Sequence, residues 1–112
     1  MSLDSQISQC NNEIESYRIL RRKLENVVNY LISSKNDCID IKSKISNLYQ
    51  VNDGDSNIKN RVSNLSNNVE FISNNILNKV IPAIDSKIGA LNKYNYDLQV
   101  AKANEDARKS VS

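Results

Sequence analysis

A chain of 112 residues with a net charge of +2 and 39% hydrophobic residues is sized for one domain with a thin core. So small and dispersed a charge excludes a grip on a nucleic-acid backbone, and no segment approaches the ~18 apolar residues that a membrane span needs. There is no histidine. The paired carboxylates Glu13/Glu15 and Asp37/Asp40 sit on polar helix surface with nothing to shift their acidity, so no enzyme and no cofactor are expected.

The N-terminal stretch MSLDSQISQC has neither a basic n-region nor an apolar h-region, which predicts a cytoplasmic protein without a cleavable signal. Steps of seven from Leu3 give Leu3, Cys10, Tyr17, Leu24, Leu31, Cys38 and Ile45. The partner column holds Ile7, Ile14 and Val28, but Arg21, Lys35 and Lys42 interrupt it. Beyond Leu20 its work passes to a neighbouring column of Leu20, Val27, Ile41 and Leu48. Such a drifting stripe predicts one helix over about 3–49, wrapped against a neighbour. Ser33–Asp37 is weak in helix propensity, yet it lacks Gly and Pro, so the helix is read as whole. On that helix Cys10 and Cys38 lie roughly 42 Å apart at ~1.5 Å per residue, too far to bond, and are placed as packing residues.

Residues 50–56 read as a bend. Asp53, Asp55 and Asn57 have the alternate spacing of a calcium loop's first ligands. Ile58, however, stands where the loop's glycine belongs, and Asn64 stands at the closing bidentate position. No metal is expected. Instead Asn52, Asp53, Gly54, Asp55 and Ser56 make a hairpin turn, with Gly54 free to take a positive φ and Asp55 or Ser56 capping the helix that follows.

The second helix is expected over about 57–100. Ile58, Val62, Leu65, Val69, Ile72 and Ile76 alternate in steps of four and three, giving one apolar edge. Near Pro82 the phase shifts, and the stripe resumes as Ile81, Ile84, Ile88, Leu91 and Leu98. A kink at Pro82 within a continuing helix is the favoured reading, and a break making a third helix the alternative. Residues 101–112 lack a stripe and are expected to fray as a polar tail.

These elements predict an all-α fold, a single antiparallel two-helix hairpin. Apolar doublets such as Ile19-Leu20, Val27-Val28 and Ile76-Leu77 widen the stripe toward a second contact direction. A four-helix bundle with a partner hairpin is the expectation, or else doublets that merely follow the stripe's drift around one helix.

Two long amphipathic helices with a glycine-bearing bend resemble the small helical-hairpin proteins of bacterial type VII secretion, the WXG-type superfamily. The stretch Ile81-Pro82-Ala83-Ile84-Asp85-Ser86-Lys87-Ile88-Gly89-Ala90-Leu91 is similar to the repeating Ile-Asp-Lys-Ile-Leu pattern in the second helix of its YwqH-like group, which accompanies LXG-domain toxins in Gram-positive bacteria. The resemblance spans roughly residues 3 to 100. Asn52 stands where the family has its bend tryptophan, and the C-terminal export motif is missing, since Tyr94 leads to Leu98 and Tyr96 to Val100. The resemblance implies a helical adaptor or targeting chaperone for a toxin's N-terminal helices, with a second small helical protein as a further partner and export through type VII secretion. Alternatives are a homo-oligomeric structural coiled coil, including a homodimer, and a small secreted substrate. One substitution tests the seam itself: Leu24→Asp is expected to lower helicity and solubility sharply. An unchanged melting curve would refute it.

Overall fold

The computed structural model describes the backbone of residues 2–48 and 53–111 and the side chains of residues 2–47 and 57–110. Three α-helices and one π turn follow in order: α1, Leu3–Leu48; α2, Asp53–Asn75; the π turn, Ile76–Val80; and α3, Ile81–Val111. α1 is the first arm, and α2, the π turn and α3 make the second; within each of the two compact units described below, a stretch of one arm packs antiparallel on a stretch of the other. The Ser2 hydroxyl accepts the Ser5 backbone N–H at 3.1 Å and caps α1, while Asp4 sits in its first turn, where the helix dipole favours a carboxylate. The weak stretch Ser33–Asp37 stays helical.

The chain groups into two compact units, where the sequence predicts one domain. One is the chain up to Lys23 together with the chain from Ile81 onward; the other is Leu24–Val80. In the first, Cys10, Ile14, Leu91 and Leu98 form the core, with Leu3, Ile7, Tyr17 and Ile88 packed on it; Ile81 and Ile84 are buried too. Arg21 grips Asp85 through Nε at 2.7 Å and a longer Nη2 contact at 3.4 Å, Asn95 donates to Asn11 at 2.6 Å, and Lys102 pairs with Asp4. The second unit has a thinner core: among its described residues the buried side chains are Val28, Cys38 and Ser73. Across it Lys35 pairs with Glu70 at 3.2 Å and Lys42 donates to Ser63 at 2.8 Å.

Two expectations need correction. Residues 101–111 are helical rather than a fraying tail. Lys102 continues the Leu91–Leu98 seam by four residues and reaches Asp4. Lys109 pairs with Glu105 one turn back at 2.9 Å, and Arg108 and Lys109 suit the negative end of the helix. Residues 53–56, expected in the bend, are helical instead, because α2 already begins at Asp53 and takes in Gly54. Starting there adds a turn of backbone hydrogen bonds, and a glycine near a helix end costs at most about 1 kcal/mol. Asn52, and the side chains of Asp53, Asp55 and Ser56, lie outside the described residues.

At Pro82 the helical backbone neither stops nor stays regular. In an α-helix the proline ring would meet the carbonyl of Asn78, four residues back; widening the preceding turn to π geometry relieves that clash. The same turn accounts for the phase shift. From Ile76 to Ile81 the stripe advances five residues, one more than an α-helical step, and the π turn Ile76–Val80 absorbs the extra one. Registers agree with this count: from Lys35–Glu70 to Arg21–Asp85, α1 retreats fourteen residues while the second arm advances fifteen.

Removing Asn78 together with Pro82→Ala should therefore turn the step into a regular one and keep both registers. Its urea-unfolding free energy is expected within about 1 kcal/mol of the parent or above it. A loss of several kcal/mol would show that the π turn does not carry the phase.

Candidate protein-interaction surface

Two lysines decide how α2 faces α1. Lys35 and Lys42 occupy seam positions of α1, and a lysine there must bring its ammonium to water or to a partner while its stem stays packed. Glu70 and Ser63, seven residues apart on α2, supply the partners. Turning Ser63 and Glu70 toward α1 rotates α2, so Val62, Ser66, Val69 and Ser73 are among the residues it half or fully buries, as is Ile76 in the π turn. Ser73, 5% exposed, satisfies its hydroxyl by donating to the Val69 carbonyl at 2.9 Å. The small serines leave room for the lysine stems: Ser66 shares a pocket with Lys42, and Ser73 one with Lys35.

The same rotation moves Ile58, Leu65 and Ile72 out of the seam. At roughly 100° per residue they lie on one flank of α2, with Ser63, Glu70 and Leu77 on the other. On α1, Val27 and Ile41 lie on one flank, and Ile32 and Ile39 on the other. Since the helices are antiparallel, flanks of like hand share a face. One face carries both polar cross-links beside Ile32, Ile39 and Leu77. The opposite face carries an apolar ridge: Val27 at 44% exposure, Ile41 at 49%, Ile58 at 49%, Leu65 at 55% and Ile72 at 49%.

This concentration belongs to the Leu24–Val80 unit. Of the described large apolar side chains left exposed, eleven lie in that unit and five (Ile19, Leu20, Tyr94, Tyr96 and Val100) in the other. Magnitudes show that the arrangement is costly for a hairpin alone. Half-burying an aliphatic side chain forgoes on the order of 1 kcal/mol, so Ile58, Leu65 and Ile72 together forgo more than two exposed polar links, at about 0–1 kcal/mol each, return. A second protein surface on the ridge would recover that burial.

The seam residues predicted from sequence thus separate. Ile14, Val28, Ile84 and Leu91 are buried; Leu3, Ile7, Tyr17, Leu24, Leu31, Ile45, Val62, Val69, Ile76 and Ile88 are half-buried; Ile58, Leu65 and Ile72 are exposed. The side chain of Leu48 lies outside the described residues. Apolar pattern alone passes over Ser66 and Ser73, although their seven-residue spacing, in alternation with Val62, Val69 and Ile76, was readable as a second possible edge. Cys10 and Cys38 are buried free thiols; the Cys10 thiol donates to the Leu91 carbonyl at 3.3 Å. Among the described residues no group of His, Cys, Asp and Glu could hold a metal ion, and no helix is long and apolar enough to cross a membrane. The hydrogen bond from Arg21 to Asp85 lifts the guanidinium pKa further above its usual range, which strengthens a structural pair and creates no acid or base. No protein-family model, curated protein or solved structure matches the chain.

The seam and the ridge respond oppositely to substitution. Ser73→Leu is expected to destabilise the protein by about 1–3 kcal/mol through overpacking, whereas Leu65→Ala stays within about 0.5 kcal/mol. Urea denaturation of the two variants measures both, and equal losses would put Leu65 in the core.

Proposed function

We propose that this protein is a non-enzymatic helical adaptor, a targeting chaperone that binds the helical N-terminal domain of an LXG-type toxin and promotes its export by type VII secretion. The observation that carries the reading is the exposed ridge of Val27, Ile41, Ile58, Leu65 and Ile72 on a helical hairpin. A long toxin helix with its own apolar stripe presents the complementary surface: the two stripes cover one another, keep the toxin soluble and make a helical rod for the secretion machinery. The resemblance of residues 3 to 100 to the hairpin proteins of that system supplies the biological setting. Without the C-terminal aromatic-acidic motif on this chain, the export signal would reside on another member of the complex.

Co-expression with the product of a large neighbouring reading frame that begins with long helices is the test. A stable 1:1 complex is expected, and Leu65→Glu with Ile72→Glu is expected to weaken it by at least about tenfold, since each places a charge in an apolar contact. Failure to co-purify with any neighbouring gene product would overturn the adaptor reading.

A further inference from the structure

We propose that the unit made of the chain up to Lys23 and from Ile81 onward holds a binding site for an arginine side chain of a partner protein, with Glu13 as its counter-charge. The inference rests on two adjoining cavities of that unit, and neither on the ridge nor on the secretion reading. The first cavity, about 170 Å³, is lined by Gln6, Gln9, Cys10 and Glu13 of α1 and by Leu91 and Tyr94 of α3. The second, about 440 Å³, lies against α1 and shares Gln9 and Glu13 with the first.

The first cavity has an apolar floor and an acceptor-bearing rim. Cys10 and Leu91 are buried, and the Cys10 thiol already donates to the Leu91 carbonyl, so the floor suits methylene groups. On the rim stand the Glu13 carboxylate, the amides of Gln6 and Gln9, and the Tyr94 hydroxyl, which donates to Gln6 Oε1 at 3.4 Å. Glu13 is the one charged residue lining either cavity. Among the described residues it has no cation, since Arg21, Lys102 and Lys109 of the same unit pair with Asp85, Asp4 and Glu105.

An apolar stem that ends in a positive charge matches floor and rim together, which is the build of lysine and arginine. Arginine fits better. Its planar fork serves a carboxylate and an amide oxygen at once, and its flat face stacks on an aromatic ring such as the exposed Tyr94, whereas an ammonium is compact and strongly hydrated. The second cavity shows what accompanies it, because Tyr17 and the exposed Leu20 give that cavity an apolar wall. The lining runs from Gln6 to Glu13 in the first cavity and from Gln9 to Leu20 in the second, so their centres lie about five residues, or ~7 Å, apart along α1. On a partner helix, an aliphatic side chain four residues from the arginine, ~6 Å along the axis, enters the second cavity when the arginine fills the first.

Titration of the isotope-labelled full chain with an alanine-based helical peptide, carrying one arginine and a leucine four residues on, tests the site by NMR. A dissociation constant on the order of 1 mM is expected, with shifts centred on Gln6, Gln9, Glu13 and Tyr94. Citrulline in place of the arginine keeps the shape and removes the charge, and is expected to weaken binding about fivefold at low salt; Glu13→Gln is expected to do the same to the arginine peptide. Glu15→Gln, exposed and outside both cavities, leaves binding unchanged, and circular dichroism shows that each variant stays helical. No shifts at these four residues, a citrulline peptide or a Glu13→Gln variant that binds as tightly, or a lysine peptide equal to the arginine one would each overturn the inference. Because the probe is a designed peptide, failure of the chain to co-purify with any toxin would leave this result standing.

Discussion

Two lysines in the seam of α1 set the character of the bend-proximal half. A helix pair buries whichever faces cost least to desolvate, and the ammonium groups of Lys35 and Lys42 cannot be buried unpaired. Their links to Glu70 and Ser63 orient α2, bring serines inward and turn three large aliphatic side chains outward. The links themselves are exposed and individually weak. Their influence comes from rotation: a few tens of degrees about a helix axis exchanges one edge of a stripe for the other.

The other unit is built differently. There the seam carries Ile14, Ile84, Leu91 and Leu98, and its charged residues, Arg21 with Asp85 and Lys102 with Asp4, bridge the two arms from the rim. It buries its stripe within the hairpin. The two units differ in burial: one packs more of its stripe between its helices, and the other leaves more of its apolar surface exposed. The π turn at Ile76–Val80 closes the Leu24–Val80 unit in the second arm, and the stripe changes phase by one residue there.

Much of the fold was legible because amphipathic periodicity survives in a single sequence. The seven-residue column from Leu3 to Ile45, the four-three alternation from Ile58 to Ile76 and the phase shift before Pro82 predicted two helical arms and an irregularity within the second. Residues 101–111 were less legible, because they carry a salt bridge between Asp4 and Lys102, separated by most of the chain, and a Glu105–Lys109 pair one turn apart in place of an apolar stripe. The helix start at Asp53 escaped because turn-forming residues such as Asp and Gly are also tolerated in a helix's first turn, so composition does not separate the two uses.

By itself the sequence determined that the chain is helical and that its arms are long and amphipathic, since these follow from residue type and spacing. Tertiary structure alone decided which edge of the second arm's stripe faces inward. Val62, Val69 and Ile76 can share a seam with Leu65 and Ile72 or with Ser66 and Ser73, and both choices satisfy helical periodicity. Only the opposing helix, with lysines at 35 and 42 that reach Glu70 and Ser63, accompanies the serine edge and leaves the aliphatic one facing out.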